Sequence, residues 1–384
     1  MTATIHLSPH RLDPAASELR DEVRSFLSAE LAAGAFTPRC DAWMSAPDPA
    51  FSRLLGARGW IGMTLPTAYG GHGRSALDRF VVTEELLASG APVAAHWIAD
   101  RQMAPSLLRH GTEAQRRRYL PSIARGECYF AIGMSEPDAG SDLASVRTRA
   151  REVADGWEIT GTKIWTTGAH YAHAMVVLAR TDGTSTDRHA GLSQFLVDLP
   201  APGVEIRPIL TIDGEHHFNE VVFDSVVVPH GSLLGERGAG WRQVTAELAY
   251  ERSGPERLMS TVPLLRAWAE QLGERPGETV AQRALGGLTA RAWTLRQMSL
   301  SVAAALARGR STEVAAALVK DLGSRFEGDV VETVRQVTGI EPRRGADGLE
   351  GLLAEAVLHT PAFTLRGGTN EILRSVVARG LGVR

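Results

Sequence analysis

Cysteine is nearly absent. Cys40 and Cys128 are the only two in 384 residues, too far apart to suggest a disulfide framework or a metal-ligand spacing. A reducing compartment is therefore the expectation. Aromatic residues make up only 6% of the chain, and no apolar run reaches the length of a membrane span. Neither sign of charge prevails, with a net charge of -3 and a pI near 6.5. This balance argues against nucleic acid or an anionic membrane as partner, and Arg116-Arg117-Arg118 reads as a solvated helix face. No HExxH helix or cysteine accompanies His170, His173, His216 or His217, so no metal is expected; a GxSxG elbow is missing too. Gly235, Gly238 and Gly240 run GxxGxG instead of GxGxxG, with no second βαβ unit after them, which excludes a Rossmann fold. The first residues carry neither an apolar signal core nor an Arg-rich transit helix, and a soluble, cytoplasmic protein is expected.

With 44% hydrophobic residues the chain can bury a large core in two or three lobes. Its periodicity divides it as 1–128, helical; 129–237, strand-rich; and 238–384, helical again. Asp13-Pro14 and Asp48-Pro49 have the form of a helix cap followed by proline, and Ser75 with Asp78 and Thr112 with Gln115 have the form of capping boxes. Leu19, Val23, Phe26, Leu27 and Leu31 recur at helical spacing. Strands are expected at 157–160, 163–166, 174–179, 194–199, 204–208 and 220–228, forming a small barrel or sandwich. After Trp241, breaks at 273–277, 309–310 and 339–348 delimit three long helices and a short terminal one, packed as a bundle.

Chemistry concentrates between Tyr129 and Gly168. Met134-Ser135-Glu136-Pro137-Asp138-Ala139-Gly140-Ser141-Asp142 has loop composition, and Lys163-Ile164-Trp165-Thr166-Thr167 has strand composition. A hydroxyl-bearing loop beside a strand that presents an indole and two threonines suits a flat ring with polar edges.

At this spacing the two segments resemble the acyl-CoA dehydrogenase family of flavoproteins, and the resemblance runs through nearly the whole chain. It implies a mainly α fold: an N-terminal helical domain (1–128), a middle β-barrel domain (129–237) and a C-terminal four-helix bundle (238–384). It also implies FAD as cofactor. Met134 and Ser135 would meet the flavin's pyrimidine edge, Trp165 its ring face and Thr167 the region of N5. Ser141 matches a position near the CoA arm. The implied reaction takes the α-proton from an acyl-CoA thioester and passes the β-hydrogen to the flavin, with electrons going on to an electron-transfer flavoprotein.

The family's usual base is a glutamate directly before a Gly-Thr pair near the C-terminus. Aligning Gly368-Thr369 with that pair leaves Gly367 in the glutamate's place. A second family location, a glutamate before arginine on the first long C-terminal helix, is matched by Glu251-Arg252. Glu251 is therefore the expected base, with Arg252 beside it. The resemblance gives the Gly367 backbone N–H the task of holding the thioester carbonyl. Thr369 reads as the cap of the last helix, its positive end toward the flavin or its phosphates, and Glu371 as a first-turn residue favoured by the helix dipole.

Two family motifs are frayed. The Arg-x-x-Phe-Gly segment that grips the flavin pyrophosphate across a subunit boundary is absent around Glu274 to Arg283, and Gln-x-x-Gly-Gly is reduced to Gln336-Val337-Thr338-Gly339-Ile340. Arg275, Arg283 and Gln336 are the candidate replacements. The alternatives are a complete homotetrameric enzyme, a partner subunit in a heterotetramer with a paired dehydrogenase chain, and an oxygen-using oxidase or monooxygenase relative.

Overall fold

The computed structural model describes residues 7–182, 187–252, 254–273, 279–310 and 312–383, without the side chains of 247–251. In chain order the helices are α1 (Pro14–Ala32), α2 (Ala42–Ser45), α3 (Pro49–Ala57), α4 (Ala76–Ala88), α5 (Ala94–Ile98), α6 (Ala104–His110), α7 (Glu113–Ala124), α8 (Gly240–Glu251), α9 (Val262–Gly273), α10 (Thr279–Ala307), α11 (Glu313–Thr338), α12 (Gly348–Phe363) and α13 (Asn370–Gly380). The strands are β1 (Phe130–Gly133), β2 (Arg149–Val153), β3 (Gly156–Thr167), β4 (Ala174–Arg180), β5 (Leu192–Asp198), β6 (Val204–Leu210), β7 (His216–Val228) and β8 (Leu233–Leu234). They form two compact units. One comprises Met1–Pro47, Arg74–Val93 and Ala249–Arg384, and the other Asp48–Gly73 and Ala94–Leu248.

Helix starts follow the local chemistry. Asp13 and Asp48 accept backbone N–H groups of the first turns of α1 and α3, and both capping boxes close as expected. In the first unit, Glu84 and Glu85 of α4 are buried. They gather Arg20 and Arg24 from α1, while Arg296 from α10 reaches Glu84 at 2.5 Å. Glu84 has two arginines and Glu85 two, which offsets the desolvation a buried carboxylate suffers.

The expected first long C-terminal helix is two helices. Helix α8 ends at Glu251 and α9 begins at Val262; between them Pro255 lacks an N–H and disfavours helical backbone at Gly254.

The second unit holds one eight-stranded sheet in the order β6-β7-β3-β2-β4-β5-β8, with β1 beside β4. Its core is Trp157, Ile159, Val177, Phe195, Val221, Phe223 and Val226. The strands expected at 157–160 and 163–166 are one strand, β3, paired with β7 along its length through two irregularities. β1, β2 and β8 escaped sequence reading. The first two are short and the last has two residues, too few to establish a period. Among the described residues, no helix is long and apolar enough to cross a membrane.

Candidate functional site

The candidate residues on the sheet depend on a change of parity in β3. Trp157, Ile159 and Lys163 point inward and are buried. Alternation would bury Trp165 as well. Between Lys163 and Thr166, however, β3 advances three residues while β7 advances two, from Val221 to Asn219. This is a β-bulge, and it re-aims the side chains beyond it. Thr166 takes the buried position, and Trp165 turns out with 54% of its surface exposed and φ of 58°. An L-residue bears that φ only at a cost, and bulky residues avoid it. Phe218 supports the indole edge-on at 5.8 Å.

The Ser135 loop is tied to the same bulge. Ile164 N–H donates to the Ser135 carbonyl at 2.9 Å, and the Lys163 ammonium donates to the Met134 carbonyl at 3.0 Å. Lys163 is fully buried and also bonds the Glu136 carboxylate at 2.8 Å. Glu136 further accepts the N–H groups of Arg147 and Thr148. Burial pushes Lys163 down to about 8, against the pull of Glu136. For Glu136, burial acts upward, but Lys163 and the hydrogen bonds outweigh it and hold the carboxyl below its ordinary value. This pair fixes loop to strand. Sequence reading missed both residues, although a Lys at an inward position of a strand was a usable signal.

Behind Thr166, buried Asn219 donates to the Thr166 carbonyl at 2.9 Å and meets His216 at 2.7 Å. His170 stacks on His216 at 3.9 Å, and His173 accepts the Tyr129 N–H. Thr167 pairs with Phe218 at the end of the strand, and Ser141 lies exposed in the turn after Gly140.

In the first unit, the turn after α12 carries the glycine pair. Gly367 and Gly368 have φ of 67° and 91°, left-handed backbone that glycine adopts without strain. Arg252 Nε donates to the Gly367 carbonyl at 3.2 Å, and the buried Lys320 ammonium donates to the Gly368 carbonyl at 2.9 Å. Among the described residues, nothing accepts the Gly367 N–H. The Thr369 hydroxyl caps α13 by accepting the Ile372 N–H, as expected. Glu371 lies in the first turn, where its own backbone N–H and then the Thr369 hydroxyl hold its carboxyl below the ordinary value. Glu251 ends α8, and its side chain lies outside the described residues. So does Arg275. Gln336 is engaged by Glu332 of its own helix at 2.5 Å, and Arg283 is exposed on α10.

The N-terminal domain of the acyl-CoA dehydrogenases matches residues 13–127, their middle domain 131–226 and their C-terminal domain 238–382. The chain is 36% identical over 339 residues to the acyl-CoA dehydrogenase IpdE1 of Mycobacterium tuberculosis, covering 87% of each chain. Among solved structures it is similar to the Tcur3481-Tcur3483 steroid ACAD, with a TM-score of 0.86 and 30% identity over 97% of this chain and 99% of that one. It is also similar to the ChsE4-ChsE5 complex of Mycobacterium tuberculosis, with a TM-score of 0.82 and 28% identity over 98% and 100% of the two chains. The chain belongs to the acyl-CoA dehydrogenase family and is an oxidoreductase of that kind. Members of the family bind FAD. The residues here fit its ring: an outward indole on strained backbone, with Ser135 and Thr167 on the adjoining loop and strand, offers an apolar face and polar edges.

Proposed function

We propose that the protein oxidises an acyl-CoA thioester to its 2,3-enoyl form, with FAD as cofactor and an electron-transfer flavoprotein as electron acceptor. The single observation carrying this reading is the bulge that turns Trp165 outward while Ile164 holds Ser135 beside it. Trp165, Thr167, Met134 and Ser135 are the residues assigned to the flavin ring, Thr369 to its neighbourhood, and Ser141 to the CoA arm. Bound FAD supplies the acceptor for the β-hydrogen at N5.

The chain's own residues provide the acid–base half. A proton next to a thioester carbonyl is weakly acidic, so its removal needs a carboxylate and a donor for the developing enolate oxygen. Glu251 takes the proton. The Gly367 N–H, without an acceptor among the described residues, donates to the carbonyl oxygen. Arg252 is assigned to the substrate side beside Glu251, and its Nε also donates to the Gly367 carbonyl at 3.2 Å.

A second reading concerns assembly. The frayed pyrophosphate motifs and the likeness to Tcur3481-Tcur3483 and ChsE4-ChsE5, both named as pairs, favour a heterotetramer with a paired dehydrogenase chain over a homotetramer. The steroid ACAD likeness also favours a bulky acyl group.

Purifying the chain alone, and then with a co-expressed paired chain, tests both readings. A yellow protein bleached without oxygen by one member of an acyl-CoA panel, from butanoyl to steroid side-chain thioesters, is the expected result. A protein that binds flavin but is bleached by none would refute the activity. Peroxide release in air would assign an oxidase instead.

A further inference from the structure

A donor carried by two consecutive glycines is poorly fixed by its own backbone, since glycine samples more of φ/ψ space than any other residue. Misplacement of a catalytic group by about 1 Å costs on the order of 100-fold in rate. Something outside the glycine pair must therefore hold it, and the chain supplies anchors on both sides.

Before the pair stands Arg366. Its guanidinium grips Asp41 with both terminal nitrogens, at 2.5 and 2.7 Å, and donates to the Ser260 hydroxyl at 3.2 Å. It lies over the Trp43 ring at 4.4 Å and the Phe363 ring at 5.2 Å. Such a fork on a carboxylate fixes orientation as well as distance. Asp41 is itself held firmly. Its N–H donates to the Ser260 carbonyl at 2.8 Å, and the preceding residues are fastened to α12 where Arg39 Nε and the Cys40 N–H both bond Glu355. Ser260 in turn donates its N–H to the buried Glu327, and its hydroxyl accepts the Trp43 indole N–H.

After the pair, Arg252 and Lys320 take the carbonyls of Gly367 and Gly368. Lys320 also bonds Asn370, which Ser324 holds from α11.

We propose that Arg366 and Asp41 are positioning residues for the Gly367 N–H, which rests on the acyl-CoA reading above. The N–H belongs to the peptide plane joining residues 366 and 367, and a peptide plane moves as one body. Arg366 fixes it from one end through its side chain, and the Arg252 bond fixes the next plane. Arg366 touches no substrate in this account. With both terminal nitrogens on Asp41, its guanidinium is engaged as an anchor.

The test compares flavin-loaded wild type with Arg366→Met, Asp41→Asn and Arg366→Lys in two measurements. Backbone amide exchange of residues 364–370, followed by mass spectrometry without ligand, is expected to quicken about tenfold or more in Arg366→Met and Asp41→Asn, with protection elsewhere retained. Turnover of the best thioester in the acyl-CoA panel is expected to fall about 10- to 100-fold in kcat with KM changed by less than about threefold, and Arg366→Lys should recover part of both effects. Unchanged loop exchange, or looser exchange with unchanged kcat, would overturn the proposal. If Arg366→Met fails to fold, Arg366→Lys and Asp41→Asn decide. If wild type turns over no thioester, the activity reading fails, while the exchange measurement still judges the anchor.

Discussion

Trp165 holds backbone that costs roughly 1–2 kcal/mol for an L-residue, and it leaves an indole facing outward. Strain kept at a site implies use. Trp165→Gly should therefore leave the flavin-free protein no less stable in thermal unfolding while weakening flavin retention about tenfold. Equal retention would remove Trp165 from the flavin's neighbours. Glu327 gives a prediction in pH. Burial pushes it up to about 7, with Asp41 adding to the rise and Arg366 and Ser260 opposing it. Between its ordinary 4.5 and 7 the unfolded chain releases this proton and the folded chain keeps it. Its contribution to stability is thus whole below about 4.5 and lost as pH rises through 7. Denaturant titrations should show wild type losing about 3 kcal/mol relative to Glu327→Gln across that window. Parallel pH profiles would show that Glu327 titrates normally.

At the scale of elements, β3 and β7 meet closely where Gly156 begins the strand. A Cβ there would lie 1.9 Å from the Val228 carbonyl oxygen, on backbone with φ of 148°. Gly156→Ala should cost more than about 2 kcal/mol in denaturant unfolding, and a loss under about 0.5 kcal/mol would mean that the pairing of β3 with β7 opens freely there. This scale also separates what sequence makes legible from what it hides. Helix starts were readable because a cap and its hydrogen-bond partner lie within three residues, as with Thr112 and Gln115. The outward turn of Trp165 was not, because it depends on how many residues β7 spends opposite the bulge. Glu251 and Gly367 emerged only through family resemblance, whereas Trp165 was singled out by strand composition before the resemblance gave it a role. Asp41 and Arg366, 325 positions apart, carry no joint signal in a single sequence.

At the scale of the whole molecule, the order of the described elements, helices before β1, strands from β1 to β8 and helices after them, matches the family's domain order. In the proposed reading, the flavin's far end is where this sequence matches the family's motifs least. Gln336 is engaged by Glu332, and the family's arginine motif is missing from the sequence. Co-expression with a paired dehydrogenase chain should accordingly raise bound flavin per protomer, measured by absorbance, and equal flavin content in the lone chain would favour a homotetramer. In the proposed mechanism Glu251 starts the reaction. Anaerobic mixing of the flavin-loaded protein with the thioester that bleaches wild type should leave Glu251→Gln yellow, at least about 1000-fold slower to bleach and with flavin still bound. Bleaching of that variant at the wild-type rate would contradict the account.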